Sequence, residues 1–99
     1  MLEIVYTASA RADLLEAWQF VAEENPQAAD QMLDVIEKGI KLLAQQPSMG
    51  RPRPELRTGL RSWPTSTPYV LYYATTTDGL NIIRVLHHAR DIQSIERWH

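Results

Sequence analysis

The chain contains no cysteine. Disulfides and thiolate metal sites are thereby excluded, and a reducing compartment is permitted. Nor is there a long apolar run. Nothing approaches the ~18 residues of a membrane span, and the amino terminus lacks the basic-then-apolar signature of a secretion signal. A soluble, cytoplasmic protein without membrane association is expected. There is no surplus of cations either: ten Lys and Arg stand against twelve Asp and Glu, unlike the plainly basic balance of a strong nucleic-acid binder. No phosphate-cradling glycine loop appears. His87, His88 and the distant His99 lack a ligand spacing with carboxylates, so neither a metal nor another cofactor is expected.

What is present is enough for one domain, residues 1–99, with 44% hydrophobic residues, three Trp and four Tyr. A chain of this size buries only roughly two-thirds of its unfolded surface. Its core is therefore thin, and an apolar groove left over would need a partner to cover it. Charge is unevenly distributed. Residues 1–46 hold eight carboxylates against Arg11, Lys38 and Lys41, whereas residues 47–99 hold seven arginines against four carboxylates. An acidic helical layer behind a positive sheet-side surface follows, a layout that can orient an anionic partner.

The stretch Leu80–Asp91, LNIIRVLHHARD, organises the rest. Ile82, Ile83, Val85 and Leu86 make a strand. Strict alternation would put Ile83, Val85 and His87 on one face and Ile82, Arg84, Leu86 and His88 on the other. With both faces mostly apolar, an interior strand covered on both sides is expected. Upstream, Leu2–Thr7 reads as a strand, and Thr7 or Ser9 offers a helix cap. Leu14, Leu15, Trp18, Val21 and Ala22 mark the apolar stripe of a helix over about 9–24, with Asp13 and Glu16 off it. Asn25-Pro26 ends that helix and caps the next, about 26–46, which carries Ala29, Met32, Leu33, Ile36, Ile40 and Leu43. The short connection requires an antiparallel hairpin. Gly39 inside the second helix costs about 1 kcal/mol of helix propensity relative to Ala and reads either as a tolerated glycine or as a point where another backbone approaches closely. Three prolines and two glycines make residues 47–59 a connector without regular structure, crowded with Arg51, Arg53 and Arg57. Strands follow near 60–64, 69–77 and 81–88, the last two joined at Thr77-Asp78-Gly79, and Ile92, Ile95 and Trp98 suggest a short terminal helix. The expected fold is α+β: a helical hairpin packed on a mainly antiparallel sheet, in the order β-α-α-β-β-β with a short carboxy-terminal helix.

Several fragments now line up: Thr7 with Ala10-Arg11-Ala12-Asp13-Leu14; Asn25-Pro26; Pro47 with Gly50-Arg51; Glu55-Leu56; Gly59-Leu60-Arg61-Ser62; Tyr69 with Tyr72; Ile83-Arg84-Val85-Leu86-His87; and Ala89-Arg90-Asp91. In order and spacing these resemble the ParE branch of the RelE/ParE superfamily, the toxins of type II toxin–antitoxin modules associated with plasmid stabilisation. The resemblance implies a single RelE/ParE-like toxin domain and a cognate ParD-like antitoxin. That antitoxin would wrap the toxin in a hetero-oligomer and carry the contact with operator DNA, so that the toxin meets DNA only indirectly. It also implies DNA gyrase as target, inhibited by binding. Leu14, Trp18, Arg51 and Arg53 are the antitoxin-binding candidates; Arg61, Trp63, Arg84, His87, Arg90 and Trp98 are the target-binding candidates.

A second activity runs in the same superfamily, ribosome-dependent cutting of messenger RNA. It needs a proton acceptor, a proton donor and cations at the scissile phosphate. His87 with Arg61, Arg84 and Arg90 would be the catalytic set. Alternation sets His88 on the face opposite His87, so at most one imidazole can address a phosphate. Arginine beside strand residues is commonly a structural ion-pair partner. Trp63 and Trp98, at a strand end and in the terminal segment, are placed as exposed interface anchors. Three readings stand: a non-catalytic gyrase-binding toxin, an endoribonuclease of similar fold, and a non-toxic regulatory partner derived from such a toxin.

Overall fold

A computed structural model describes residues 1–98. β1 (Ile4–Tyr6) leads into a hairpin of α1 (Ala8–Ala22) and α2 (Pro26–Gln45). Thr7 caps α1 by accepting the Ala10 amide, and Asn25 caps α2 by accepting the Ala28 amide, with Pro26 at the first helical position. A 3-10 turn (Pro47–Met49) and four strands follow: β2 (Arg51–Pro52), β3 (Arg61–Pro64), β4 (Tyr69–Thr76) and β5 (Gly79–His87). The sheet order is β1-β5-β4-β3-β2, with β1 parallel to β5 and every other pair antiparallel. The α+β hairpin-on-sheet architecture is the expected one.

The differences are local. The connector is not devoid of regular structure: Arg51 and Pro52 pair with Ser62 and Arg61 as a fifth strand. Pro52 fits there because an edge strand has no outer partner needing its missing N–H. The terminal helix reduces to one 3-10 turn, Ile92–Ser94, capped by Asp91. The stripe of α1 is also displaced. Its buried face is Ala10, Asp13 and Ala17, flanked by Leu14 and Val21, while Leu15 is 58% exposed. Small residues let α1 approach β5 closely, and a carboxylate inside that contact needs partners. Gly39 makes room for a side chain rather than a backbone, since a Cβ there would press on the Trp63 ring.

The main correction concerns β5. Pairing with β4 runs from Thr76↔Gly79 to Tyr73↔Ile82, then resumes at Tyr72↔Arg84, leaving Ile83 as the extra residue of a β-bulge. The bulge resets the alternation. Leu80, Ile82 and Val85 share the helix-side core, and Ile83 and Leu86 join Leu60, Tyr72 and Trp98 in a second core. Both faces of β5 are thus covered, one by helices and the other by the 53–60 loop and the terminal segment.

Candidate functional site

The bulge sits where β1 stops. β1 covers β5 only over Leu80, Asn81 and Ile82, and beyond that the edge of β5 would expose its backbone. The start of α1 takes over. The Thr7 amide donates to the Ile82 carbonyl (3.1 Å), and the Thr7 hydroxyl donates to the Ile83 carbonyl (2.8 Å). The Val85 amide donates to Asp13 Oδ2 (3.0 Å). The same carboxylate receives Arg84 Nε (2.7 Å) and a terminal guanidinium nitrogen (2.9 Å). Side-chain exposures of 13% for Arg84 and 8% for Asp13 make this a largely desolvated bidentate pair. The hydrogen bond to Asp13 raises the already high pKa of Arg84, against the opposing effect of burial.

Past this latch, β5 ends in a cavity of about 170 Å³ bounded by Asp13, Glu16, Tyr69, His87 and Arg90. His87 Nδ1 accepts the Ala89 amide (3.1 Å), which turns the chain off the strand. Its ring meets Tyr69 edge-on at 5.4 Å and stacks on His88 at 4.6 Å. His88 is therefore a neighbour of His87 and not on the opposite face: the strand ends at His87, and the His88 amide donates to the Pro68 carbonyl. Burial raises the pKa of Tyr69, and the nearby Glu16 charge adds to the effect.

Of the residues singled out in the sequence, His87 and Arg90 share this cavity. Arg61 does not reach it. Its guanidinium donates to the Ser48 carbonyl (3.2 Å) and the Gly50 carbonyl (2.6 Å), holding the turn before β2. Arg84 is held in the Asp13 latch and does not line the cavity. Trp63 lines a separate groove with Val35, Lys38 and Leu42. Trp98 is not exposed: at 7% accessibility it stacks on Tyr72 at 4.9 Å, and Arg57 donates to its carbonyl at 2.5 Å. Leu14 borders an apolar groove of about 160 Å³ with Tyr6, Leu33, Ile36 and Ile40. Trp18 ties the hairpin together through Asp30 (2.9 Å). Arg53 holds Glu55 (2.7 Å) and Ser62 (3.2 Å), which lowers the Glu55 pKa, while Arg51 is exposed on the edge strand. The positive half of the chain is thus largely internal wiring, with Arg53, Arg57, Arg61 and Arg84 each bonded within the fold. His99 lies outside the described residues.

Asp13, Glu16 and Tyr69 were not among the candidates. A signal for Asp13 exists: Ala10, Asp13 and Ala17 form a helical face of small residues around one carboxylate, and Arg84 is the lone cation of an apolar strand.

The family described as "ParE toxin of type II toxin-antitoxin system, parDE" matches residues 4–92. Among curated proteins, toxin RelE2 of Caulobacter vibrioides is 32% identical over 91 residues, covering 91% of this chain and 99% of that protein. Toxin ParE1 of the same organism is 31% identical over 87 residues, covering 86% and 88%. Toxin ParE1 of Mycobacterium tuberculosis is 30% identical over 86 residues, covering 85% and 87%. A solved structure titled as the chromosomal ParDE TA system from P. aeruginosa superposes with a TM-score of 0.73 at 24% identity, over 88% of this chain and 96% of that one. Among the described residues, no helix is long and apolar enough to cross a membrane.

Proposed function

The chain belongs to the ParE toxin family of type II toxin–antitoxin systems, and from that premise we propose that it acts by binding DNA gyrase, with no hydrolytic site of its own. A ParD-like antitoxin neutralises it in a hetero-oligomer, and operator DNA is met only through that antitoxin. The observation that carries this reading is the engagement of the cations. Cleavage of a ribose phosphate needs free positive charge beside a proton acceptor. Arg61 is held by two backbone carbonyls and Arg84 by Asp13, so Arg90 alone of the three faces His87. One cation, with the Glu16 and Asp13 carboxylates around it, is a poor cradle for a phosphate and a serviceable docking surface for a protein.

In this proposal His87 and Arg90 meet the target, with Trp63 as a second, separate contact. Arg84 and Arg61 keep the presenting strand and turn in shape, and Trp98 fastens the segment that follows Arg90. The antitoxin's terminal segment covers the groove beside Leu14, close to Trp18, and extends toward Arg51 and Arg53. The endoribonuclease reading survives as the alternative, with His87 as general base, as does that of a regulatory partner without toxicity. Inducing the chain in a bacterium separates all three. A DNA damage response that precedes any fall in bulk translation supports gyrase binding. Immediate arrest of translation supports the ribonuclease, and unaffected growth supports the regulatory partner.

A further inference from the structure

One face of α2 is apolar where the fold leaves it partly open. Val35, Lys38, Gly39 and Leu42 recur at three- and four-residue steps and so share that face. Val35 is 36% and Leu42 38% exposed on it. Trp63, on β3, lies against the same turn, so close that a Cβ at Gly39 would stand 3.0 Å from its ring. The glycine gives up helix propensity and lets the indole settle against the helix backbone. Val35, Leu42 and Trp63 thus wall an open groove of about 250 Å³. No carboxylate lines it, and its charge is Lys38, which forms no ion pair among the described residues.

The groove adjoins the surface assigned to the target. Trp63 pairs with Leu71, and Leu71 with Val85. Trp63 and His87 therefore stand toward the same end of the sheet, with β4 between their strands, about 10 Å across. Trp63 and Tyr69 both pack on the helix-side core, and Tyr69 borders the cavity shared by His87 and Arg90. Arg90, like Lys38, is in no ion pair among the described residues. The groove beside Leu14 is a different place. Its Leu33, Ile36 and Ile40 are on nearly the opposite side of α2 at about 100° per residue. On the reading that gyrase is the target, on which this rests, we propose that the Trp63 groove seats an apolar side chain of the target. A carboxylate beside that side chain meets Lys38, within one acidic segment that continues to Arg90. An indole-walled groove is where the energy of an interface concentrates. The two free cations steer an acidic segment onto it and reject a basic one.

Titrating the purified full chain and its variants into a supercoiling reaction with purified gyrase tests this, with affinity for the co-encoded antitoxin measured alongside. Gly39→Ala puts a methyl group where the Trp63 ring rests. It should raise the concentration for half inhibition by at least about tenfold, the effect expected when a hot-spot residue is displaced. Lys38→Glu should raise it several-fold and flatten its dependence on salt, whereas Lys38→Arg should leave it unchanged. Affinity for the antitoxin should be the same in every variant. Circular dichroism confirms that each variant is folded. Leu42→Gln, a change at an exposed position that should also weaken inhibition, keeps the test valid if Gly39→Ala misfolds. A parent chain that inhibits gyrase, with variants that inhibit it equally well, overturns the proposal and leaves the gyrase reading standing. A parent chain without effect on gyrase overturns that reading and the proposal with it. Variants that lose the antitoxin instead also overturn the proposal, since this face would then be the antitoxin's.

Discussion

Asp13 closes the edge of β5 and neutralises Arg84 with one carboxylate, accepting three hydrogen bonds at once. Removing one partner of a desolvated pair leaves the other charge buried alone, at a cost of roughly 3–5 kcal/mol. The small remaining exposure of Arg84 argues for the lower end, so Asp13→Ala should lose about 3 kcal/mol of the 5–15 kcal/mol typical of a domain. Replacing both partners by apolar residues of similar volume, Asp13→Leu with Arg84→Met, should recover most of that loss. Urea denaturation measures both; a loss from Asp13→Ala no larger than that of a surface pair would show the latch to be ornamental. A second test lies at Gly50. Its amide donates to the Tyr73 hydroxyl (2.8 Å), which donates in turn to the Pro47 carbonyl (2.6 Å). A Cβ at Gly50 would fall on that phenol ring. Gly50→Ala should therefore cost about 1–3 kcal/mol by overpacking, and Tyr73→Phe a similar amount by leaving buried groups without a partner.

At the scale of elements, the terminal segment is a strap. Residues after His87 turn back across the sheet face opposite the helices, where Ile92, Ile95 and Trp98 pack on Leu60, Tyr72, Ile83 and Leu86. Arg57 fastens its end through the Trp98 carbonyl. Trp98→Ala should cost about 3 kcal/mol, the low end for a buried aromatic, because the site lies at the margin of a thin core. Truncation before Asp91 should uncover that core and abolish toxicity along with thermal stability, read by a melting scan beside a growth assay. The helices and long strands were legible in the sequence because each carries its own signal: Asn25-Pro26, the stripe of α2, the β-branched run of β5. What was not legible depends on contacts between distant residues. Asp13 and Arg84 are 71 positions apart, and a helical stripe drawn from large side chains overlooks a face made of two alanines and an aspartate. The Ile83 bulge leaves no local mark either; it falls where the pairing of β1 with β5 ends, 77 positions away in the chain from Tyr6. The cavity was half legible: His87 and Arg90 stood out by chemistry, whereas Tyr69 and Glu16 reach it only through the packing of β4 and α1 on β5.

For the molecule as a whole, every tyrosine is held above its ordinary pKa, in each case chiefly by burial: Tyr6, Tyr69, Tyr72 and Tyr73. A raised folded pKa means that the neutral phenol is favoured in the native state. Its contribution to stability is fully present below the unfolded value of about 10 and is lost as pH rises through the folded values. Tyrosinate absorbance should accordingly appear later in the folded chain than in denaturant, and native structure should give way in the alkaline range. Four phenols ionising at the ordinary value without loss of structure would contradict this burial. The proposed mode of action, binding without hydrolysis, is open to a direct test in vitro. Purified His87→Ala, first shown to be folded, is compared with the parent chain in a DNA supercoiling reaction with purified gyrase and in a ribosome-bound message cleavage reaction. A binding surface tolerates the loss of one proton-transfer group, whereas losing a general base typically costs 10²–10⁴-fold in rate. If the protein acts by binding, both proteins inhibit supercoiling to a similar extent and leave the message intact; cleavage of the message by the parent chain, abolished by His87→Ala, would overturn the binding mode.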